Sequence, residues 1–248
     1  MSNNLDTHVD AYKGGNLYDF DNEILLTWYP QRVLKYAGLR GSLLELGLGH
    51  GLTTEIFASH FKQHVVLEGS PAVIRHFNEK HSECHAEIVQ TYFEEYSTDR
   101  KFDVIVMGFI LEHVDDPLQI LRQFRQFLAP GGKIFLAVPN AEVMNRSLGH
   151  LAGMLADMSA LSENDHLLGH KRYYTVASLT NEVTQAGYRV DRLEGIYLKP
   201  FTTRQIVSLQ LDRRVITALC DLGVNYPELS CGILAEISVA LDPTPEEP

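Results

Sequence analysis

The chain has 248 residues, 45% of them hydrophobic, with 21 Lys and Arg against 32 Asp and Glu, a formal net charge of −11. Such an acidic chain repels phosphate backbones, which argues against a nucleic-acid partner, and no apolar run reaches membrane-spanning length, which argues against a membrane one. The length suits one large α/β domain, or a domain with a lid, whose single core buries most of its apolar surface.

The opening MSNNLDTHVD carries no basic-then-apolar targeting pattern. Residues 21–38 read as an amphipathic helix with a kink near Pro30. Strands and helices then alternate. Strands are predicted at 42–46, 64–69, 86–90, 103–108 and 133–138, mostly as continuous apolar runs, the pattern of strands covered on both faces. Between them, helices are predicted at 53–62, starting on a capping Thr53, at 71–80, with Pro71 at the first helical position, and at 116–128, ahead of an APGG stop. The βαβ rhythm implies a doubly wound, mainly parallel sheet.

After Asn140 the rhythm changes. Apolar residues recur at helical spacing through 141–170, which fits either a lid over the sheet's carboxyl edge or a helix pair that forms core or a dimer contact. A helix at 175–186, capped by Thr175 and stopped by Gly187, is followed by a strand at 188–198, a helix at 203–222 and a last strand at 232–241. The resulting division is an N-terminal helical cap (1–40), an α/β core (41–140), a lid insertion (141–174), a return to the core (175–242) with a helical insertion (199–231), and a tail (243–248). Cys84, Cys220 and Cys231 are an odd number without close pairing, so no disulfide framework is expected and a reducing cytoplasm fits.

The stretch LLELGLGHGLTTE, residues 43–55, is the sharpest signal. An apolar strand ends in Glu45, and Gly47, Gly49 and Gly51 follow at alternate positions, so the backbone turns tightly and lets a ligand come close. The dinucleotide fingerprint G-x-G-x-x-G is not met, because the third glycine arrives one position early, and Glu45 would repel a pyrophosphate. A phosphate-free, positively charged nucleoside tolerates that acid, and S-adenosylmethionine is one. Glu68, 21 positions after Gly47 at the end of the second strand, is placed to accept both ribose hydroxyls.

On these residues the chain resembles the class I S-adenosylmethionine-dependent methyltransferases over roughly 40–140. LLELGLGHG is similar to the family's first motif, VVLEGS to the second-strand acid, QTYFEEY and FDVIVMGFILEHVDDP to the third and fourth strand ends, and LAPGGKIFLAVPN to the fifth strand. The phrase LEHVDDP resembles small-molecule members, the ubiquinone-pathway and the sugar- and natural-product-modifying enzymes. The resemblance implies a seven-stranded sheet with the last strand antiparallel, S-adenosylmethionine as cofactor and a small-molecule acceptor. It implies that Gly47, Gly49 and Gly51 face the methionine and ribose, that Glu68 binds the ribose diol and that Gly108 and Phe109 border the methionine chain. Tyr92 and Phe93 stand where the resemblance implies a small residue and an acid beside adenine; the acid is missing at 92, so an aromatic ring is expected to stack there instead. Tyr12 or Tyr18 either closes over the cofactor carboxylate or anchors the first helix.

Methyl transfer needs a positioned acceptor and a group that takes its proton. His113, just past the fourth strand, is either that base or a residue that orders its loop. His166 and His170 are four apart, so on a helix they share a face. The phrase GHKRYYT is similar to one that precedes strand six in related enzymes, where the histidine and arginine look to the acceptor, so Arg172 either clamps an acidic acceptor or pairs with a loop acid. Asn140 is expected to hydrogen-bond the acceptor. A metal at Asp165, His166 and His170 lacks the H-E-x-x-H pattern, and none is expected. Two other classes compete: an NAD(P)-dependent oxidoreductase, disfavoured by Glu45 and the early Gly51, and a cofactor-binding module without catalysis. The segment 199–231 either shapes the pocket or builds a homodimer contact.

Overall fold

The computed structural model describes residues 17–38 and 41–240. Tyr12 and the 243–248 tail lie outside the described residues. Seven strands form one sheet: β1 (Ser42–Leu46), β2 (Gln63–Glu68), β3 (Glu87–Gln90), β4 (Phe102–Gly108), β5 (Leu128–Pro139), β6 (Tyr188–Leu198) and β7 (Ser230–Val239). Their order is β3-β2-β1-β4-β5-β7-β6. The first five strands pair in parallel, and β7 runs antiparallel to both β5 and β6. This is the doubly wound, mainly parallel sheet with an antiparallel last strand that the βαβ rhythm and the family resemblance implied.

Strands such as β4 are buried on both faces because helices cover both. Helix α1 (Asp19–Tyr36) and α2 (Leu52–Ala58) lie on one side, where Tyr29, Val33 and Phe57 pack on Leu43, Val104 and Val106. On the other side α4 (Pro117–Phe124) and α7 (Val176–Gln185) bring Leu121, Phe124, Leu179 and Val183 onto Ile105, Met107 and Leu136. Helix α3 (Pro71–Lys80) is capped by Ser70, whose hydroxyl accepts from Val73 N.

Several boundaries depart from the sequence reading. Thr53 is not a cap: α2 starts at Leu52 after Gly51, and the Thr53 hydroxyl reaches back to Glu45. The helix expected to reach residue 128 ends at Phe124 and tightens into a 3₁₀ turn, Arg125–Phe127. The APGG run belongs to β5, entering through a register shift against β4 between Phe102 and Val104. The region 141–170 forms two short helices, α5 (Met144–Leu151) and α6 (Glu163–Leu168), separated by turns. The helix expected over 203–222 is two, α8 (Thr203–Ser208) and α9 (Arg213–Gly223), broken where Gln210 takes a left-handed φ of 48° and Asp212 caps the second.

The strand order reverses between β1 and β4, so their carboxyl ends open a crevice at the switch point, the usual ligand position of such sheets. Among the described residues no helix is long and apolar enough to cross a membrane.

Candidate active site

A cavity of about 650 Å³ opens over the carboxyl edge of the sheet. Its size is that of a small-molecule or cofactor site. Two of its walls differ in construction.

The first wall is the glycine loop. Gly47, Gly49 and Gly51 all take positive φ, at 81°, 48° and 79°. At Gly51 a Cβ would meet the Phe77 ring at 2.7 Å, and at Gly47 it would meet Ile110 at 2.7 Å, so both glycines are demanded by neighbours within the protein. Gly49 differs: among the described residues, no atom beyond its own chain neighbours lies within 4 Å of where its Cβ would be. A left-handed backbone over open space, on the wall of a cavity, is a cradle for something that approaches the main chain closely. Glu68 stands beside it, 9% exposed, with Oε2 accepting from Leu48 N at 3.1 Å and Oε1 from Ser70 N at 2.7 Å. Phe93, Phe109, Gly108 and Tyr18 complete this part of the lining, with Tyr18 itself 40% exposed. Phe109 is held at a φ of 57°, uncommon for a side-chain-bearing residue, with its ring edge-on to Tyr29 at 5.8 Å. Gly108 has room only for hydrogen, since a Cβ would sit 2.1 Å from the Tyr29 hydroxyl.

Glu45 reaches the cavity, but its oxygens are taken. They accept from Thr53 at 2.7 Å, Thr54 at 2.9 Å and His64 Nε2 at 2.9 Å, at 2% exposure. The acid expected to face the cofactor therefore fastens the loop and α2 to the sheet. Tyr92, expected beside adenine, is not on the cavity wall; it is the residue before the 3₁₀ turn Phe93–Glu95.

The loop carries one acid, Glu45, and no Lys or Arg between residues 45 and 53, so a pyrophosphate has no cationic side chain to pair with there. A nucleoside with hydroxyls for Glu68 and a chain that can lie over Gly49 fits what these residues offer. S-adenosylmethionine meets both demands.

The second wall is a polar cluster past β4. Gly169, at a φ of 78°, ends α6 and turns the chain back, so that His170 N bonds to Asp165 O at 2.8 Å. The ring follows: His170 Nδ1 donates to Asp165 Oδ1 at 2.9 Å. Asp165 also accepts from Ser162 N at 2.8 Å, from the Ser162 hydroxyl and from the Tyr173 hydroxyl. Burial by itself raises the Asp165 pKa, but the hydrogen bonds from His170, Ser162 and Tyr173 outweigh it and hold the carboxyl well below its usual range. Lys171 N bonds to Glu112 O at 2.7 Å, and Asn140 bridges Tyr174, so this segment is laid along the ends of β4 and β5. His170 thereby meets His113, with ring centroids 4.7 Å apart at 79°.

Glu112 lies beside them and is one residue that sequence reasoning missed. It is fully buried, among the described residues neither oxygen has a hydrogen-bond partner, and burial pushes its pKa up to about 7. Ligating atoms of Glu112, His113 and His170 all lie within 4.8 Å of one another. All three line the cavity. The LEH phrase was read for its histidine alone; an acid within an otherwise apolar FILEHV run was the available signal.

Three expected members of this wall are placed differently. His166 is exposed and off the cavity, because His170 lies beyond the end of α6 and the two histidines share no helix face. Arg172 is off the cavity wall: its guanidinium donates to Leu111 O at 3.3 Å and Asp115 O at 3.2 Å, holding the loop after β4. Asn140 reaches the cavity with its amide already committed. Nδ2 donates to Pro227 O, Glu228 O and Ser230 O at 2.9–3.2 Å, and Oδ1 accepts from Glu142 N at 2.9 Å. It ties the β7 approach to the end of β5.

Comparison with known proteins agrees with this geometry. A methyltransferase domain family matches residues 23–193. The chain is similar to the ubiquinone biosynthesis O-methyltransferase of Aeromonas salmonicida, 26% identical over 189 residues, covering 74% of this chain and 76% of that protein. In fold it resembles the N-methyltransferase NodS of Bradyrhizobium japonicum, solved with S-adenosyl-L-homocysteine, at a TM-score of 0.62 and 15% identity over 96% of this chain and 99% of that one. It also resembles the CcbJ methyltransferase of Streptomyces caelestis, at a TM-score of 0.60 and 15% identity over 88% and 90%.

Proposed function

The chain belongs to the class I S-adenosylmethionine-dependent methyltransferases, and from that premise we propose that it methylates an oxygen or nitrogen of a small organic acceptor, with His170 as the base. The observation that carries this reading is the Asp165–His170 pair, set beside Glu112 and His113 in the cavity that also holds the glycine loop.

The loop of Gly47, Gly49 and Gly51 and the Glu68 carboxylate hold the cofactor, with Tyr18, Phe93, Gly108 and Phe109 around it. When bound, S-adenosylmethionine supplies a methyl group already activated on a sulfonium, so the protein's part is positioning and proton removal. Asp165 takes the Nδ1 proton of His170 as its hydrogen-bond partner, which leaves Nε2 with the lone pair. Ser162 and Tyr173 fix Asp165 in turn, so the imidazole is oriented before an acceptor arrives. Nε2 then receives the proton of the acceptor hydroxyl or amine, and the imidazolium is stabilised by ionised Asp165. Glu112, protonatable near neutral pH, and His113 stand close enough to share that proton. The segment 141–174 acts as a lid that excludes water; Arg146 braces it by donating to Met158 O at 2.6 Å and Ala160 O at 2.9 Å and by lying 4.7 Å over the Tyr173 ring.

Both oxygen and nitrogen acceptors have support, since the curated relative is named an O-methyltransferase and NodS an N-methyltransferase. The test is incubation of the ligand-stripped protein with S-adenosylmethionine labelled in its methyl group and a panel of phenols, sugars and amines, with calorimetry against S-adenosylhomocysteine and NADH. Label transfer to a hydroxyl or amine, with binding of the nucleoside and not of NADH, is expected. Binding without transfer to any acceptor leaves a cofactor-binding module, and preference for NADH leaves an oxidoreductase.

A further inference from the structure

Beyond the histidine cluster the cavity reaches a second polar group that nothing in methyl transfer requires. Lys199, one residue past β6, is 8% exposed, and its ammonium donates to Asp21 Oδ2 of α1 at 2.5 Å and to the Thr203 hydroxyl of α8 at 2.8 Å. Thr203, 4% exposed, donates to the same Asp21 oxygen. Asp21 is 6% exposed, and among the described residues its Oδ1 has no donor. Asn145 of α5 is fastened to Lys199 by its main chain, N to O at 3.1 Å, and its side-chain Oδ1 is likewise buried without a donor. Asp21, Asn145, Lys199 and Thr203 all line the cavity.

A buried ion pair loses hydration on both charges, and apolar residues of like volume often serve stability as well or better. This pair also leaves an oxygen unmet, which a satisfied structural network does not do. The unmet groups have a definite character. Asp21 Oδ1 and Asn145 Oδ1 call for hydrogen-bond donors, and Lys199 retains one N–H beyond its two partners. A ring bearing only carbonyls leaves both oxygens unmet. An ammonium would set a second positive charge against Lys199 in a poorly solvated site, and a carboxylate or phosphate would face the Asp21 and Asn145 oxygens. A hydroxyl both donates and accepts, and two neighbouring hydroxyls can serve Asp21, Asn145 and Lys199 together.

We propose that Asp21, Lys199, Thr203 and Asn145 form the acceptor-recognition subsite, and that it takes the hydroxyls of a polyhydroxylated, sugar- or cyclitol-like acceptor. The proposal rests on the methyltransferase reading and names the substrate class of that same cavity.

The test titrates isotope-labelled protein, saturated with S-adenosylhomocysteine, with methyl β-D-glucopyranoside, cyclohexanol and hexylamine, followed by NMR. The glucoside is expected to shift the signals of Lys199, Thr203 and Asn145 and to bind at least tenfold tighter than cyclohexanol. A single change at Asp21 or Lys199 strands a buried charge and risks the fold, so the ion pair is removed as a whole by Asp21→Leu with Lys199→Met, beside a separate Asn145→Ala variant. Each is expected to weaken glucoside binding tenfold or more while S-adenosylhomocysteine affinity stays within twofold. Tighter binding of cyclohexanol or hexylamine, no glucoside shifts at saturation, or unchanged glucoside affinity in both variants overturns the subsite. Failure of the wild type to bind S-adenosylhomocysteine overturns the parent reading as well, and that result is scored before any probe is added.

Discussion

The two walls of the cavity are built on different principles. The cofactor wall is main chain: residues 45–70 supply the loop, its three left-handed glycines and the Glu68 carboxylate within one βαβ unit. The proposed acceptor wall is side chain: Asp21, Glu112, Asn145, His170 and Lys199 come from five separated stretches and line the same cavity. A backbone cradle is exacting about which residue occupies each position, and it accepts one ligand shape. A wall of converging side chains can change its occupant by single substitutions while the cradle stays as it is. The same scaffold can therefore serve O- and N-methylating relatives.

The sharpest way to break that comparison is to cross the walls. His170→Ala is expected to lower kcat by about 10²–10⁴-fold, the usual worth of a general base, with the S-adenosylhomocysteine Kd unchanged. Stopped assays and calorimetry on one preparation check both halves. A Kd that moves with kcat would mean that the walls are not separate. Asn140→Ala probes the opposite assignment. Its amide joins four backbone groups, so urea unfolding is expected to show a loss of about 2–4 kcal/mol, and the remaining folded enzyme is expected to keep its KM for an acceptor. A selective rise in KM would return Asn140 to the acceptor. Gly49→Ala tests the cradle. A side chain at a φ of 48° adds strain of about 1–2 kcal/mol, and its methyl enters the space that the ligand occupies, so nucleoside affinity is expected to fall on the order of tenfold with little change in kcat at saturation.

The same contrast explains what could be read in advance. The sheet was legible because buried parallel strands are continuous apolar runs and the turns between them carry Pro71, Gly51 and Gly187. The cradle was legible because glycine spacing is local. The acceptor wall was legible only in part: His113 and His170 stood out as titratable residues near a strand end, but His166, Arg172 and Asn140 had the right type and neighbourhood without the right direction. Side-chain direction was decided by Gly169, which turns His170 off the α6 axis, and by carbonyls of distant segments that bind Arg172 and Asn140. Asp21 and Lys199 were invisible, since 178 positions separate them and nothing in either neighbourhood announces the other. Glu45 was misread for a related reason: its partner His64 lies on β2, and no motif records that contact.

The last expected effect is a slope rather than a step, and it concerns an acceptor-wall residue whose charge state follows from its surroundings. Burial raises the Glu112 pKa from 4.5 to about 7, against the attraction of His170 and Arg172 and with the repulsion of Asp165. In the unfolded chain the same carboxyl ionises near its ordinary value. Between those two values the folded protein holds a proton that the unfolded chain has lost, so stability falls as pH rises through the window and levels off above about pH 7. The slope from this residue is at most about 1.4 kcal/mol per pH unit. Glu112→Gln keeps the shape and removes the titration. The difference in unfolding free energy between wild type and variant, measured by urea at half-unit steps from pH 5 to 8 in ligand-free protein, is expected to grow against the wild type up to about pH 7 and then stay constant. His113, His170 and Asp165 remain in both proteins, so their own pH dependence largely cancels in that difference. A flat difference across the range would mean that Glu112 is ionised and solvated in the free enzyme, and the acceptor wall would then be open to water before any substrate arrives.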